Sequence, residues 1–209
     1  TALDWVLDPA RIRRRLDALN VSAHLPLMRT LGHANYTFRK KLSHSADSQD
    51  QRHRMVPASR PLLTRTVPAF VDAVEPELIA SDPACHDLFQ ESVEAAWEAR
   101  GRLLELGAPA ELALYVLPNA LAVRFEETGS LMHLLHKWSM RTCFNAQREI
   151  FEASLDEIEQ VRAVHPQLMR HVGPPCLVRS GLARPRCTEG SHFCGVPVWR
   201  SFPEIQRRI

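Results

Sequence analysis

A chain of 209 residues with 45% hydrophobic content can bury one sizeable core, or one core with a small appendage. Its 26 Lys and Arg against 24 Asp and Glu leave a formal net charge of +2, and with no long basic stripe this argues against a nucleic-acid partner. No run approaches the ~18–20 consecutive apolar residues that cross a bilayer, and the opening TALDWVLDPARIRRRLDALN is amphipathic rather than signal-like, so a cytoplasmic protein with no membrane partner is expected.

After a turn at Asp8 and Pro9, ARIRRRLDALNVSAHLPLMRTLG predicts a helix with Ile12, Leu16 and Leu19 on one face, interrupted near Pro26 and stopped by Gly32. HANYTFRKKLSH alternates through Tyr36 and Phe38 and predicts a strand leading into SQDQRHRM. A proline-punctuated loop, Pro57 to Pro61, follows. From Ser81 the chain carries a capping residue, a proline in the first turn and apolar positions Leu88, Val93, Trp97 and Leu103, a helix that Gly107 ends. A short helix from Pro109 gives way to a turn and a strand through Val123 and Phe125. One or two long helices occupy Ser130 to Val164, and a tail rich in Pro, Cys and Gly begins at Gly173. The pattern predicts an α+β fold, mostly helical around a modest β-sheet. Residues 1–172 form the expected domain and 173–209 a Cys/Pro-rich extension.

Arg52-His53-Arg54 places two guanidiniums and an imidazole within three residues. They repel one another unless an anion or an electron-rich ring lies among them. The arginine fork grips phosphate or carboxylate at two points, and its flat face stacks on aromatic rings, so a phosphorylated aromatic ligand would suit all three. The alternative is a solvated basic turn.

Downstream, Leu117-Pro118, Arg141 and the run AQREI at Ala146 to Ile150 stand within LYVLPNALAVRFEETGSLMHLLHKWSMRTCFNAQREI. With Arg52-His53-Arg54, in this order and spacing, the chain resembles the flavin-dependent thymidylate synthases from about His33 to Leu168. That resemblance implies the family's α+β fold, an FAD cofactor, NADPH as reductant, and transfer of a one-carbon unit from methylenetetrahydrofolate to C5 of a pyrimidine nucleotide, without a protein nucleophile. It places Arg52, His53 and Arg54 against flavin and phosphate, and Gln49 at the nucleotide. Met55 would lie against the isoalloxazine ring, the alternative being plain core. Arg141 becomes the catalytic and substrate-binding donor to the pyrimidine oxygens, where preorganised donors stabilise developing charge; the alternative is a salt bridge to Glu149. The resemblance also implies a homotetramer with sites between subunits, Arg52 and His136 coming from different protomers.

Several positions depart from the family pattern. Leu62 stands where the family has a serine, the nearest hydroxyls being Ser59 and Thr64, and Leu114 stands where it carries a nucleotide-contacting arginine. Thr64 and Arg65 are the candidate substitutes for substrate binding. Ser130 and His136 occupy positions of flavin-contacting asparagines, where hydroxyl and imidazole still hydrogen-bond, and Met132 replaces an arginine. The altered nucleotide pocket is compatible with the family's UMP/dUMP methylase branch from polyoxin-type nucleoside-antibiotic biosynthesis. A family member that keeps the fold as a catalytically silent structural or interaction partner is the alternative.

Five cysteines, three of them near the C-terminus, do not make a disulfide framework in a chain of this size. Cys176, Cys187, His192 and Cys194 supply a complete tetrahedral ligand set, and a structural Zn there is one expectation; free cysteines in a compact loop are the other.

Overall fold

The alternation around Phe38 produces a strand. A computed structural model describes residues 26–170, 172–179 and 184–207 of the chain, so the expected helix bearing Ile12, Leu16 and Leu19 lies outside the described residues. Strand β1, Asn35–Ser43, buries Phe38, Lys40 and Leu42 and exposes the residues between them. Strand β2 is only Ala58–Ser59, inside the segment expected to be a loop, where Pro57 and Pro61 bracket it and cannot donate to a ladder. Strand β3, Ala122–Ser130, buries Val123, Phe125, Glu127 and Gly129 in alternation. The sheet order is β1-β3-β2; β2 and β3 are antiparallel, with Ala58 opposite Glu127. This is the α+β architecture expected, helices around a small sheet.

The chain divides into two compact units: Thr1–Phe38, His53–Pro57 and Thr128–Ile209, as far as described, and Arg39–Arg52 with Ala58–Glu127. β1 and β3 contribute residues to both.

In the second unit, helix α1, His44–Asp50, follows β1 directly. Ser43 caps it, its Oγ accepting from the Ala46 N–H at 3.0 Å. Seven mostly polar residues carry no periodic signal, which is why pattern reading passes over α1. Helix α2, Pro83–Glu105, has the expected boundaries: Asp82 accepts from the Cys85 N–H at 2.9 Å, Pro83 opens the first turn, and Gly107 leaves with φ 84°. Val93 and Trp97 are buried against Leu121, with Phe89 packed beside them. Leu88, expected on that face, is 63% exposed. At about 100° per residue, five residues put Leu88 roughly 140° away from Val93, while Phe89 is one turn from it.

In the first unit, the expected long helical region is two helices, α3 (Leu131–Arg141) and α4 (Arg148–Val164), preceded by a 3₁₀ helix, Pro26–His33. α3 buries Leu131, Leu134 and Trp138, and α4 buries Phe151, Ser154, Ile158 and Val161, both at three- and four-residue spacing. Leu31, Phe38, Val56, Met169 and Val172 complete that core. The Trp138 indole donates to Glu157 Oε2 at 2.8 Å and Lys137 Nζ to Glu157 Oε1 at 3.1 Å, so one buried carboxylate ties α3 to α4. A second cluster sets Val198 of the C-terminal segment against Phe144 and Phe151. Among the described residues no helix is long and apolar enough to cross a membrane.

Candidate functional site

The first unit gathers His53, His136 and Arg141. Residues 53–57 close into a turn, the Val56 N–H donating to the His53 carbonyl at 2.9 Å, and are tethered to β3 where the Thr128 N–H donates to the Pro57 carbonyl at 3.0 Å. The Val56 side chain is buried in the core, so His53 is held on a short anchored link. Arg141, the last residue of α3, is half-buried and donates through Nε to His53 Nε2 at 2.8 Å. A cation there also complements the negative end of the helix dipole. The imidazoles of His53 and His136 meet edge to face, centroids 6.0 Å apart. Ser130 Oγ lies 3.2 Å from His133 Nδ1, a contact absent from the sequence expectations although His133 sits one turn before His136. Arg54 and Met55 are exposed; at 64% exposure, Met55 is no part of its unit's core.

The second unit holds the other expected residues. Gln49 is half-buried near the end of α1 and its carbonyl accepts from the exposed Arg52 N–H at 3.2 Å. Half-buried Thr64 and exposed Arg65 stand on a separate one-turn helix, Leu63–Thr66, preceded by Leu62 at 74% exposure. Beneath α1 lies an ionic network that sequence reasoning missed. Lys40 Nζ donates to Asp50 Oδ2 at 3.0 Å and to Glu127 Oε1 at 3.1 Å, and Arg60 Nε donates to Asp47 Oδ1 at 2.7 Å. Lys40, Asp47, Asp50 and Glu127 are all buried. Arg60 also stacks over the Phe125 ring, 4.6 Å from its centroid. A signal existed: Lys40 is in phase with Phe38 and Leu42, and Glu127 with Val123 and Phe125, and a charge on a buried strand face must be paired. The network holds the middle and the last residue of α1, which carries Gln49. Nearby, Arg124 bonds Asp72 and Lys41 reaches it at 3.2 Å, which holds the Asp72 carboxyl below the usual carboxylate range.

The cysteines of the first unit converge differently from the expected quartet. Cys143, Cys176, Cys187 and Cys194 line one cavity of about 20 Å³, and His192 is not in its walls. His192 sits in an exposed 3₁₀ turn, Gly190–His192, with its carbonyl accepting from Asn145 Nδ2 at 2.8 Å. The expected set Cys176, Cys187, His192 and Cys194 is thus corrected by the turn that faces His192 outward. All four cysteines are free thiols. Burial first, then the neighbouring Cys143, Cys187 and Cys194, pushes the Cys176 thiol up to about 11. Among the described residues, no three His, Cys, Asp or Glu side chains stand as a ready metal-ligating group.

Comparison with known proteins bears on both units. The profile of the family described as thymidylate synthase complementing protein matches residues 13–167. A flavin-dependent thymidylate synthase of Geobacter sulfurreducens is 30% identical over 213 residues, covering 93% of this chain and 86% of that protein. Proteins of the same name from Sulfurisphaera tokodaii and Saccharolobus solfataricus are 29% and 31% identical, each over 74% of this chain. The chain spans only 60% of the length of these last two relatives. Two motifs 88 residues apart that meet in a hydrogen bond, and a match over most of the length, lead to one conclusion: the chain belongs to the thymidylate synthase complementing protein family.

Proposed function

We propose that this chain is a flavin-dependent enzyme that methylates C5 of a pyrimidine nucleotide, UMP as well as dUMP, with FAD as cofactor, methylenetetrahydrofolate as carbon donor and NADPH as reductant. The observation that carries the reading is the 2.8 Å bond from Arg141 to His53, because it joins the two sequence motifs of the family in one place. The residues present fit a flavin: Met55 offers an exposed, polarisable apolar face beside His53, Arg54 offers a charge for phosphate, and His136 and Ser130 offer hydrogen bonds. When bound, that cofactor would carry the hydride between reductant and the transferred carbon. The chain's own part is electrostatic. Arg141, oriented through Nε by His53 and presented from the end of a rigid helix, would meet the pyrimidine oxygens as negative charge develops, and it cannot neutralise itself by losing a proton. Gln49, with Thr64 and Arg65, would bind the nucleotide, and Arg52 its phosphate or the flavin's. The assembly proposed is a cytoplasmic homotetramer, in which 1–172 is the synthase-like domain and 173–209 an extension, a division supported by a family match that stops at 167.

A silent family member is favoured by Leu62, which presents an exposed apolar side chain where a hydroxyl is expected, and by Met132 in place of an arginine. Release of tritium from C5-labelled UMP and dUMP decides, with FAD, folate and NADPH saturating. The expected result is release from both nucleotides with efficiencies within about a hundredfold, since a pocket that lacks a dedicated contact to the sugar discriminates only modestly. Release from dUMP alone makes the chain an ordinary thymidylate synthase. A colourless protein that takes up no flavin and releases no tritium makes it the silent partner.

A further inference from the structure

We propose that Cys143, Cys176, Cys187 and Cys194 form a structural site for one thiophilic divalent cation, Zn²⁺ by preference, which clips the C-terminal segment to the turn between α3 and α4. The site shares no residue with the proposed active site and stands or falls independently of it.

Four observations carry the assignment. First, the size: the cavity of about 20 Å³ is near the volume that one water occupies, which suits a single ion at Zn–S distances of about 2.3 Å and excludes an organic ligand. Second, the convergence: the four sulfurs come from the turn after α3, from the one-turn helix Pro175–Val178 and from two positions of the segment 184–207, stretches with no shared periodicity that could bring cysteines together by accident. Third, the backbone: the Glu189 N–H donates to Cys187 Sγ at 3.5 Å, which fixes that sulfur at the cavity wall. Directly after Cys194, Gly195 takes φ 76°, a conformation that turns the chain sharply away from the sulfur and that a side chain would strain. Fourth, the charge: among the described residues no Lys or Arg stands in the cavity walls while Glu189 does, and Phe144, Phe193 and Val198 keep the surroundings apolar, so a cation entering there meets no positive side chain.

The sulfurs surround the cavity without forming a ligating group as they stand. Each cysteine has a single side-chain rotor, and a change of χ1 well is the movement that draws them onto an ion. The benefit falls on the tail, which is rich in proline, buries among its described residues only Gly173, Pro174 and Val198, and is too small to build a core of its own.

The test is metal analysis of the full chain purified without chelator, together with Co²⁺ reconstitution of chelator-stripped protein. About one equivalent of Zn per chain is expected, with intense sulfur-to-cobalt charge-transfer absorption of a tetrahedral thiolate site. Cys143→Ser should lower the Zn content or the Zn²⁺ affinity at least about tenfold, and His192→Ala should leave both unchanged. Should Cys143→Ser fail to fold, titration of Zn²⁺ into stripped wild-type protein against a chromophoric chelator gives the same decision. Less than about a tenth of an equivalent, with no Zn²⁺ uptake by wild-type chain that circular dichroism shows to be folded, overturns the proposal. Loss of metal in His192→Ala with retention in Cys143→Ser overturns the ligand set.

Discussion

Arg141 and His53 are joined by a hydrogen bond of 2.8 Å in which the guanidinium Nε donates to the imidazole Nε2. Arginine has no acceptor, so His53 accepts here and, as the neutral ring, keeps its proton on Nδ1. The bond also sets the plane of the guanidinium. Arg141→Lys keeps a charge and loses both the Nε donor and the fork. It is expected to leave the circular dichroism unchanged and cut turnover about a hundredfold or more, the usual cost of removing one donor to developing negative charge. Near-normal tritium release with unchanged nucleotide KM would make Arg141 a structural residue.

If His53 acts through Arg141, the two substitutions must not add. His53→Ala and Arg141→Lys, measured singly and together for kcat/KM, are expected to couple by about 0.5–3 kcal/mol, as residues in direct contact do. Independent effects would separate His53 from the positioning of Arg141.

Lys40 sits between Asp50 and Glu127, and all three are buried. Lys40→Met leaves two carboxylates facing one another without their ammonium, which should cost about 3–5 kcal/mol in urea unfolding. Arg39, one residue earlier, pairs with Glu126 at the exposed surface, and Arg39→Ala should barely move the midpoint. Equal effects of the two substitutions would contradict the burial argument.

Asp72 is held ionised by Arg124 and Lys41. Its folded pKa lies below the unfolded value of about 3.9, so its contribution is complete above that pH and is lost as pH falls through the folded pKa. Asp72→Asn should therefore be less stable than wild type at neutral pH, and the gap should close on acidification below about pH 4. Urea midpoints of both proteins across that range check it; a gap that widens toward low pH would reverse the sign.

Gly129, buried in β3, has no room for a side chain. A Cβ there would stand 2.9 Å from Leu134 Cγ and 3.2 Å from Val56 Cγ1. Gly129→Ala is expected to cost about 1–3 kcal/mol through overpacking. Because Val56 anchors the link that carries His53, thermal unfolding and tritium release should fall together. A variant of wild-type stability would show that Leu134 and Val56 yield freely.

By itself, the sequence determined what is written within a few neighbouring residues. The alternation through Phe38 and through Val123 and Phe125 sets two strands and their buried faces, and Asp82-Pro83 with Gly107 sets both ends of α2, because strand phase and helix capping are local matters. The order of Arg52-His53-Arg54, Leu117-Pro118, Arg141 and AQREI was enough to point to the family. β2 and α1 were not legible, since two residues in one case and seven polar ones in the other carry no period. Only the tertiary structure decided which distant groups meet. Lys40 finds Asp50 and Glu127, Arg141 finds His53, and Cys143 rather than His192 joins the other three cysteines, because those meetings depend on how helices and loops pack, and packing is a property of the whole chain rather than of any stretch of it.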